Sequence, residues 1–418
     1  MTMMTDTPVA LPDRRPAPVI GGSLAAIALI LLAIVDFRRG FLLDKADYAY
    51  VSPFCFFSPW QLLLLGGGAV LLAAMLKALR QTGDAGRAGG WLLGGIFGLL
   101  LVDLLLYRGV AASRALEKGK VGLDWLKAFG VEGWQEPVAL TCSYLLTVWH
   151  ATFLSCLMAG LALVVMPRYL QALQRQQGFR ASLAGGLMAL TQPFCSCCAA
   201  MLSPAVLGQG RSVRFGVAVL LGAPLLNMST LFLAAQLLPG PYAALRIGAG
   251  ILLTLGLSAL LARLVGEQCE VSDRKAQSLS VAFSLPDSDR PADLLSAWLR
   301  LSGRVAVILI PSMIIGTLVA SLLWGFWPKD LADGPAAVLL ASVLGTLLMV
   351  STWSEIPLAL QMLEQGLHGP AAAALVALPA VNLASLWLIA RTTGQWKLAL
   401  GLGGAVMVSA LGAGLLFT

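Results

Sequence analysis

Residues 138–166 read VALTCSYLLTVWHATFLSCLMAGLALVVM, without one Asp, Glu, Lys or Arg, and the run closes on Pro167-Arg168. About 20 apolar residues suffice for a helix to cross a hydrocarbon core roughly 30 Å thick, and this run exceeds that. It lacks the period-two alternation of a membrane β-strand. Comparable runs lie near 19–36, 59–80, 90–107, 213–237, 241–264, 301–327, 370–391 and 397–417. With 58% hydrophobic and only 12% charged residues, against about 25% charged in soluble domains, the chain reads as an all-α polytopic membrane protein of about nine transmembrane helices.

Charge sets the expected topology. The net charge of +7 sits in loops, where it signals orientation and attraction to lipid headgroups; no nucleic-acid partner is expected. Residues 1–18 are polar and Pro-rich and form an expected disordered cytoplasmic N-terminus. Asp36-Phe37-Arg38-Arg39 follows the first apolar run in place of a small-residue cleavage site, so the first span is read as uncleaved. The loop after residue 166 carries Arg168, Arg175 and Arg180 without an acid, which places it in the cytoplasm of a bacterial cell whose inner membrane the chain crosses. Seven cysteines, mostly inside apolar segments, do not form the disulfide framework of a small secreted domain.

Two apolar segments read badly as smooth helices. Segment 183–208 is broken by Gln192-Pro193, Ser203-Pro204 and a glycine pair, and 335–363 is the second interrupted element. Irregular backbone at membrane depth survives only where protein or a cavity surrounds it, so both are expected to be re-entrant or broken helical hairpins. The resulting division is an accessory region over 19–137, ending in an outer amphipathic cap from Arg108 to Pro137; a first repeat over 138–264; a linker over 265–300; and a second repeat over 301–418.

Residues 195–231 and 351–386 superimpose as sequences. Cys195-Ser196-Cys197-Cys198 faces Ser351-Thr352-Trp353-Ser354, and Gln209-Gly210 faces Gln365-Gly366. After one residue of slip, Ala223-Pro224-Leu225-Leu226-Asn227 faces Leu378-Pro379-Ala380-Val381-Asn382. If both hairpins are re-entrant, charge bias puts Arg391 and Lys397 inside and the repeats run in opposite senses, the inverted plan of many secondary transporters. If both segments span instead, the 265–300 loop lies outside.

Several residues carry chemistry in this frame. Cys195, Cys197 and Cys198 supply soft sulfur ligands suited to a thiophilic metal or metalloid. In a straight helix 195 and 198 share a face while 197 turns about 100° from 198, so at most two cooperate; tight packing of small apolar residues is the competing role. Glu355 is a carboxylate within an apolar segment, costly enough there to suggest function, with proton coupling as its expected role and a helix cap as the alternative. Asn227 and Asn382, each three residues after Pro224 and Pro379, offer amides to substrate or to opened backbone, and these four residues complete the expected substrate-binding set. Cys142 and Cys156 lie on nearly one face about 21 Å apart, too far to share an ion; His150 between them is expected to be a hydrogen-bonded structural residue, with a place in a proton or ligand path as the alternative. Asp103 reads as an interface residue at the outer end of its span. No Gly-Lys-Ser/Thr phosphate loop, His-Glu-x-x-His or Gly-x-Ser-x-Gly occurs, and no cofactor is expected.

The Pro193-Phe194-Cys195-Ser196-Cys197 element, with Gly210, Gly222-Ala223-Pro224-Leu225-Leu226-Asn227 and the second Leu378-Pro379-Ala380-Val381-Asn382, resembles the predicted permease family that includes the ArsP-like organoarsenical efflux permeases. The resemblance covers roughly 138–417. It departs where the family has Gly after Cys-Ser-Cys and Pro three residues later; this chain has Cys198 and Met201. The resemblance implies energy-coupled export of a small thiophilic solute, such as a trivalent organoarsenical; a homo-oligomer is a separate candidate state. The competing readings are a membrane thiol-disulfide oxidoreductase using Cys195 and Cys198, and a scaffold subunit binding partners through 108–137.

Overall fold

The computed structural model describes residues 16–43, 59–81, 86–118, 136–190, 194–208, 210–270, 288–324, 332–348 and 355–418. Its regular elements are all helical. In chain order they are α1 (Pro16–Leu43), α2 (Pro59–Leu79), α3 (Gly86–Lys118), α4 (Glu136–Tyr169), α5 (Phe179–Leu190), α6 (Ser196–Ala200), α7 (Ser203–Val206), α8 (Val213–Leu225) and α9 (Met228–Leu237). There follow α10 (Gly240–Leu252), a π turn over Leu253–Leu257, α11 (Ser258–Val265), α12 (Pro291–Trp324), α13 (Pro335–Leu347), α14 (Glu355–Glu364), α15 (His368–Ala380), α16 (Leu383–Thr393) and α17 (Trp396–Leu415). Among the described residues eight helical stretches are long and apolar enough to cross a membrane, and the α8–α9 pair, bent by 42°, makes a ninth if it is one span. The chain is a polytopic helical membrane protein.

The accessory helices pack through small residues, which let backbones approach. A Cβ on Gly68 of α2 would stand 2.7 Å from Ile30 and 3.1 Å from the Ala26 carbonyl, and one on Gly95 of α3 only 2.5 Å from Leu24. The group is joined to the rest by α3 against α4 and by α2 and α3 against α12. Next, α4 lies along α12, where Trp298 Nε1 donates to the Leu157 carbonyl at 2.9 Å and Gly160 meets Ser302.

Some element bounds differ from those the sequence suggests. Helix α12 starts at Pro291, inside the expected 265–300 linker, because Leu294, Leu295, Trp298, Leu301 and Val305 recur on one face and are all buried. Helix α3 runs to Lys118, into the stretch expected to form the outer cap. The remainder of that cap, most of the N-terminal tail, and linker residues 271–287 lie outside the described residues.

Both interrupted segments return to the end from which they start. At the mouth of the α5–α7 hairpin, Ser212 N donates to the Gln174 carbonyl at 2.9 Å. At the mouth of α13–α14, Gly369 N donates to Asp333 Oδ1 at 3.2 Å. These mouths lie at opposite ends of the molecule, as the α10–α11 span shows: its first turn reaches His368 through Tyr242, whereas Glu267 just past its last turn accepts from Val213 N. The second of these ends gathers Arg168, Arg211 and Arg214, with Arg168 on Asp289 at 3.3 Å and Arg214 on Glu267 at 2.6 Å.

Candidate functional site

The first cluster forms where the thiol element meets a helix break in the other half. Pro379 has no N–H to bond back along α15, and beyond Ala380 the chain turns extended at Val381 and Asn382. Asn382 then caps α16: its Oδ1 accepts from Ser385 N at 2.8 Å, and the Ser385 hydroxyl accepts from Asn382 N at 2.9 Å. This reciprocal cap leaves Nδ2 to donate to Ser196 Oγ at 2.7 Å and to meet Cys197 Sγ at 3.1 Å. The Cys197 thiol also lies 3.3 Å from Asn382 Oδ1.

Helical geometry brings the Cys195 and Cys198 side chains into hydrogen-bond contact and turns Cys197 away from them. Cys195 is the N-cap of α6, its sulfur accepting from Cys198 N at 3.4 Å. Cys197 points to α16, and Cys198 turns to Ser155 on α4. Among the described residues no group of three or more His, Cys, Asp or Glu side chains is arranged to hold a metal ion. Residues 196–200 are helical, so Cys197 faces away from the side that Cys195 and Cys198 share. Cys156 on α4, which sequence spacing set aside, neighbours Cys195 instead. Cys142 is exposed, away from this cluster.

The second cluster centres on a residue that the sequence reading missed. Arg246, on α10, donates to the Leu225 carbonyl at 2.9 Å and the Pro224 carbonyl at 3.3 Å. Its Nη2 lies 3.4 Å from Glu355 Oε1, and neither side chain has any exposure. A cation at the C-terminal end of α8 and an anion in the first turn of α14 each match the local helix dipole. Arg246 was visible as a lone charge in an apolar run, the same signal that singled out Glu355.

Asn227 caps α9, accepting from Ser229 N at 3.1 Å and from the Ser229 hydroxyl at 2.6 Å. Its Nδ2 is buried without a partner, as are the Thr230 and Thr254 hydroxyls. Thr254 and Ser258 continue a line begun by Tyr242, Arg246 and Gly250, four residues apart and all buried. Steps of four drift around an α-helix; the π turn at Leu253–Leu257, which takes more residues per turn, offsets that drift.

Asp103, near the end of its span, is 2% exposed, and its Oδ2 meets His150 Nε2 at 3.1 Å, joining α3 to α4. A carboxylate buried beside lipid needs such a partner, which the local sequence around 103 does not reveal. Beside Phe194, the residue before Cys195, an apolar cavity of about 400 Å³ is lined by α3, α4 and α5, with Phe97, Met158, Met166 and Met188 in its wall.

A family described as predicted permease, ArsP_1, matches residues 133–418. The chain belongs to this predicted permease family. Within the permease's relatives, the UPF0718 protein YraQ of Escherichia coli (strain K12) is 30% identical over 300 residues, 70% of this chain and 84% of YraQ. The UPF0718 protein MJ0584 of Methanocaldococcus jannaschii is 29% identical over 121 residues, 27% of this chain and 33% of that protein. No solved structure matches the permease significantly. The matched region starts beside α4 and takes in both hairpins and both clusters, while α1 to α3 lie before it.

Proposed function

We propose that this permease is a secondary transporter of the bacterial inner membrane that exports a small thiophilic solute, a trivalent organoarsenical or related soft metalloid or metal species, in exchange for protons. The observation that carries the reading is the contact of Cys197 with Asn382, which seats the thiol element of one half on the helix break of the other. The other half supplies a counterpart, since Glu355 reaches the Pro224–Leu225 break through Arg246. Together with the opposed hairpin mouths, these crossed contacts support an inverted repeat with its site between broken helices.

In this reading two sulfurs at a time, drawn from Cys195, Cys197 and Cys198, hold the soft centre. The apolar cavity beside Phe194 gives room to an organic substituent, and the Asn227, Asn382, Pro224 and Pro379 breaks frame the path. Glu355 alternates between its Arg246 partner and a bound proton as the solute passes. The test is uptake of trivalent methylarsenite into everted membrane vesicles with and without a proton gradient. Gradient-driven accumulation, lost in Glu355→Gln and in Cys197→Ser, is expected. Full activity with all three thiols removed overturns the ligand role, and a Cys195–Cys198 disulfide that cycles with reductant while no solute moves favours the oxidoreductase.

A further inference from the structure

A proton carrier with no solvent exposure needs a route to it, and the structure offers one from the end opposite the basic loops. Tyr242 lies one helical turn before Arg246, about 6 Å along the axis and on nearly the same face. The Tyr242 hydroxyl lies 3.0 Å from His368 Nδ1, and the two rings stack with centroids 6.5 Å apart. Tyr242 is buried while His368, the first residue of α15, is exposed. On the other side Phe417 covers the phenol ring at 4.8 Å. Around this line the wall is apolar: Leu238, Ile356, Ala359, Leu367 and Ala371 belong with Tyr242 to one buried cluster. A hydroxyl sunk in such a cluster, hydrogen-bonded outward to an imidazole and one turn from a buried ion pair, is the polar exception in an otherwise dry wall.

We propose that His368 and Tyr242 form the outer proton inlet to Glu355. The proposal rests on the reading of Glu355 as the proton carrier. Imidazole is the side chain that takes up and releases protons near neutral pH, and a phenol both donates and accepts. A proton from the outer solution binds His368; Nδ1–H donates to the Tyr242 oxygen while the Tyr242 proton passes on toward Glu355. In this proposal water carries the proton between the Tyr242 hydroxyl and Glu355. Glu355 becomes a neutral carboxyl, and Arg246 stays on the Pro224 and Leu225 carbonyls. One proton is taken up outside and one is held at Glu355, with no electron transferred. The other titratable side chains of the elements packed at this end, among the described residues, are Asp333, Glu364, Arg246 and Glu355 itself. Asp333 accepts from Gly369 N, the residue after His368.

Everted vesicles place this face in the lumen, so lumenal pH is varied from about 5.5 to about 8 at fixed external pH while initial uptake of methylarsenite is followed. Solute exchange at equal pH, which moves no net proton, is measured alongside. For Tyr242→Phe, gradient-driven uptake is expected to fall by at least about tenfold, as when a proton-transfer group is removed, with exchange at the wild-type rate. For His368→Gln, uptake is expected to lose its dependence on lumenal pH. If both variants keep the wild-type rate and pH profile while Glu355→Gln abolishes gradient-driven uptake, the inlet is wrong and the transporter reading stands. If exchange falls in step with uptake, the two residues hold structure and the inlet is equally overturned. Wild-type uptake indifferent to the gradient removes the reading of Glu355 and the inlet together. His368→Gln, at an exposed position, keeps the test open should Tyr242→Phe fold poorly.

Discussion

Arg246 and Glu355 stand 3.4 Å apart with neither side chain exposed, 109 residues apart in sequence. The pair ties the last carbonyls of α8 to the first turn of α14, so it spans the two halves of the permease at their helix breaks. Desolvating two charges offsets most of their attraction, so such a pair adds little net stability, yet removing one partner strands the other.

Arg246→Met is therefore expected to destabilise the detergent-solubilised protein by about 3–5 kcal/mol, because it leaves a buried carboxylate and two helix-end carbonyls without their donor. The double variant Arg246→Met, Glu355→Met is expected to recover part of that loss. Thermal unfolding of the wild type, both single variants and the double variant closes the cycle. Additive losses would show that the two side chains do not act as a pair.

Asn382→Ala removes the cap of α16 and the donor to Ser196 and Cys197 in one step. The cap alone is worth about 1 kcal/mol. Stability is expected to fall by that amount or somewhat more, and Cys197, now 3% exposed, to become reactive toward a membrane-permeant maleimide. Asn382→Asp keeps the capping oxygen but buries a carboxylate with no cation beside it, so it is not expected to restore the lost stability. Unchanged labelling in Asn382→Ala would mean that Cys197 is held by its helix rather than by Asn382.

How much of this was legible in the sequence differs from residue to residue. The matched glycines Gly210 and Gly366 both take a left-handed backbone, with φ of 69° and 78°, and the matched Asn227 and Asn382 both cap the helix that follows a break. Those roles are local, so Pro, Gly and Asn spacing announces them. The partners of Cys197 and Glu355 lie 185 and 109 residues away, and no local pattern encodes such meetings. Arg246 carried the same lone-charge signal as Glu355, but its partners lie on other elements, as does His150, the partner of Asp103.

The glycine pair in α5 separates close packing from mere flexibility. A Cβ on Gly185 would stand 2.6 Å from the Phe215 carbonyl and 2.8 Å from Ala218, both on α8, whereas one on Gly186 finds its nearest neighbour, a Thr254 methyl, at 3.4 Å. Gly185→Ala must push the re-entrant hairpin away from α8 and is expected to cost about 1–3 kcal/mol, as overpacking does. Gly186→Ala is expected to be near neutral. Size-exclusion profiles and melting temperatures of the two variants, made side by side, check this; equal tolerance would show that the hairpin is not held against α8 at Gly185.

At the basic end, Arg214 grips Glu267 with Nε 2.8 Å from both carboxylate oxygens and Nη2 2.6 Å from Oε1. These hydrogen bonds hold the Glu267 carboxyl below its ordinary range, with Arg263 adding in the same direction. Because the folded-state value is depressed, the stabilisation is complete above the ordinary carboxylate pKa of about 4.3 and is lost as pH falls through the lowered value. Glu267 is 40% exposed, so solvent screening limits the pair to at most about 1 kcal/mol. The pair fastens the strand of loop after α11 to the start of α8, beside the backbone bond from Val213 N to the Glu267 carbonyl. Glu267→Gln is expected to melt below wild type at neutral pH by roughly 1–3 °C, and the gap to close as the buffer is taken below pH about 4. Raising the salt concentration at neutral pH narrows it too, since the pair is partly open to solvent. A gap that persists or widens in acid would assign the stabilising role to the backbone contact and not to the carboxylate.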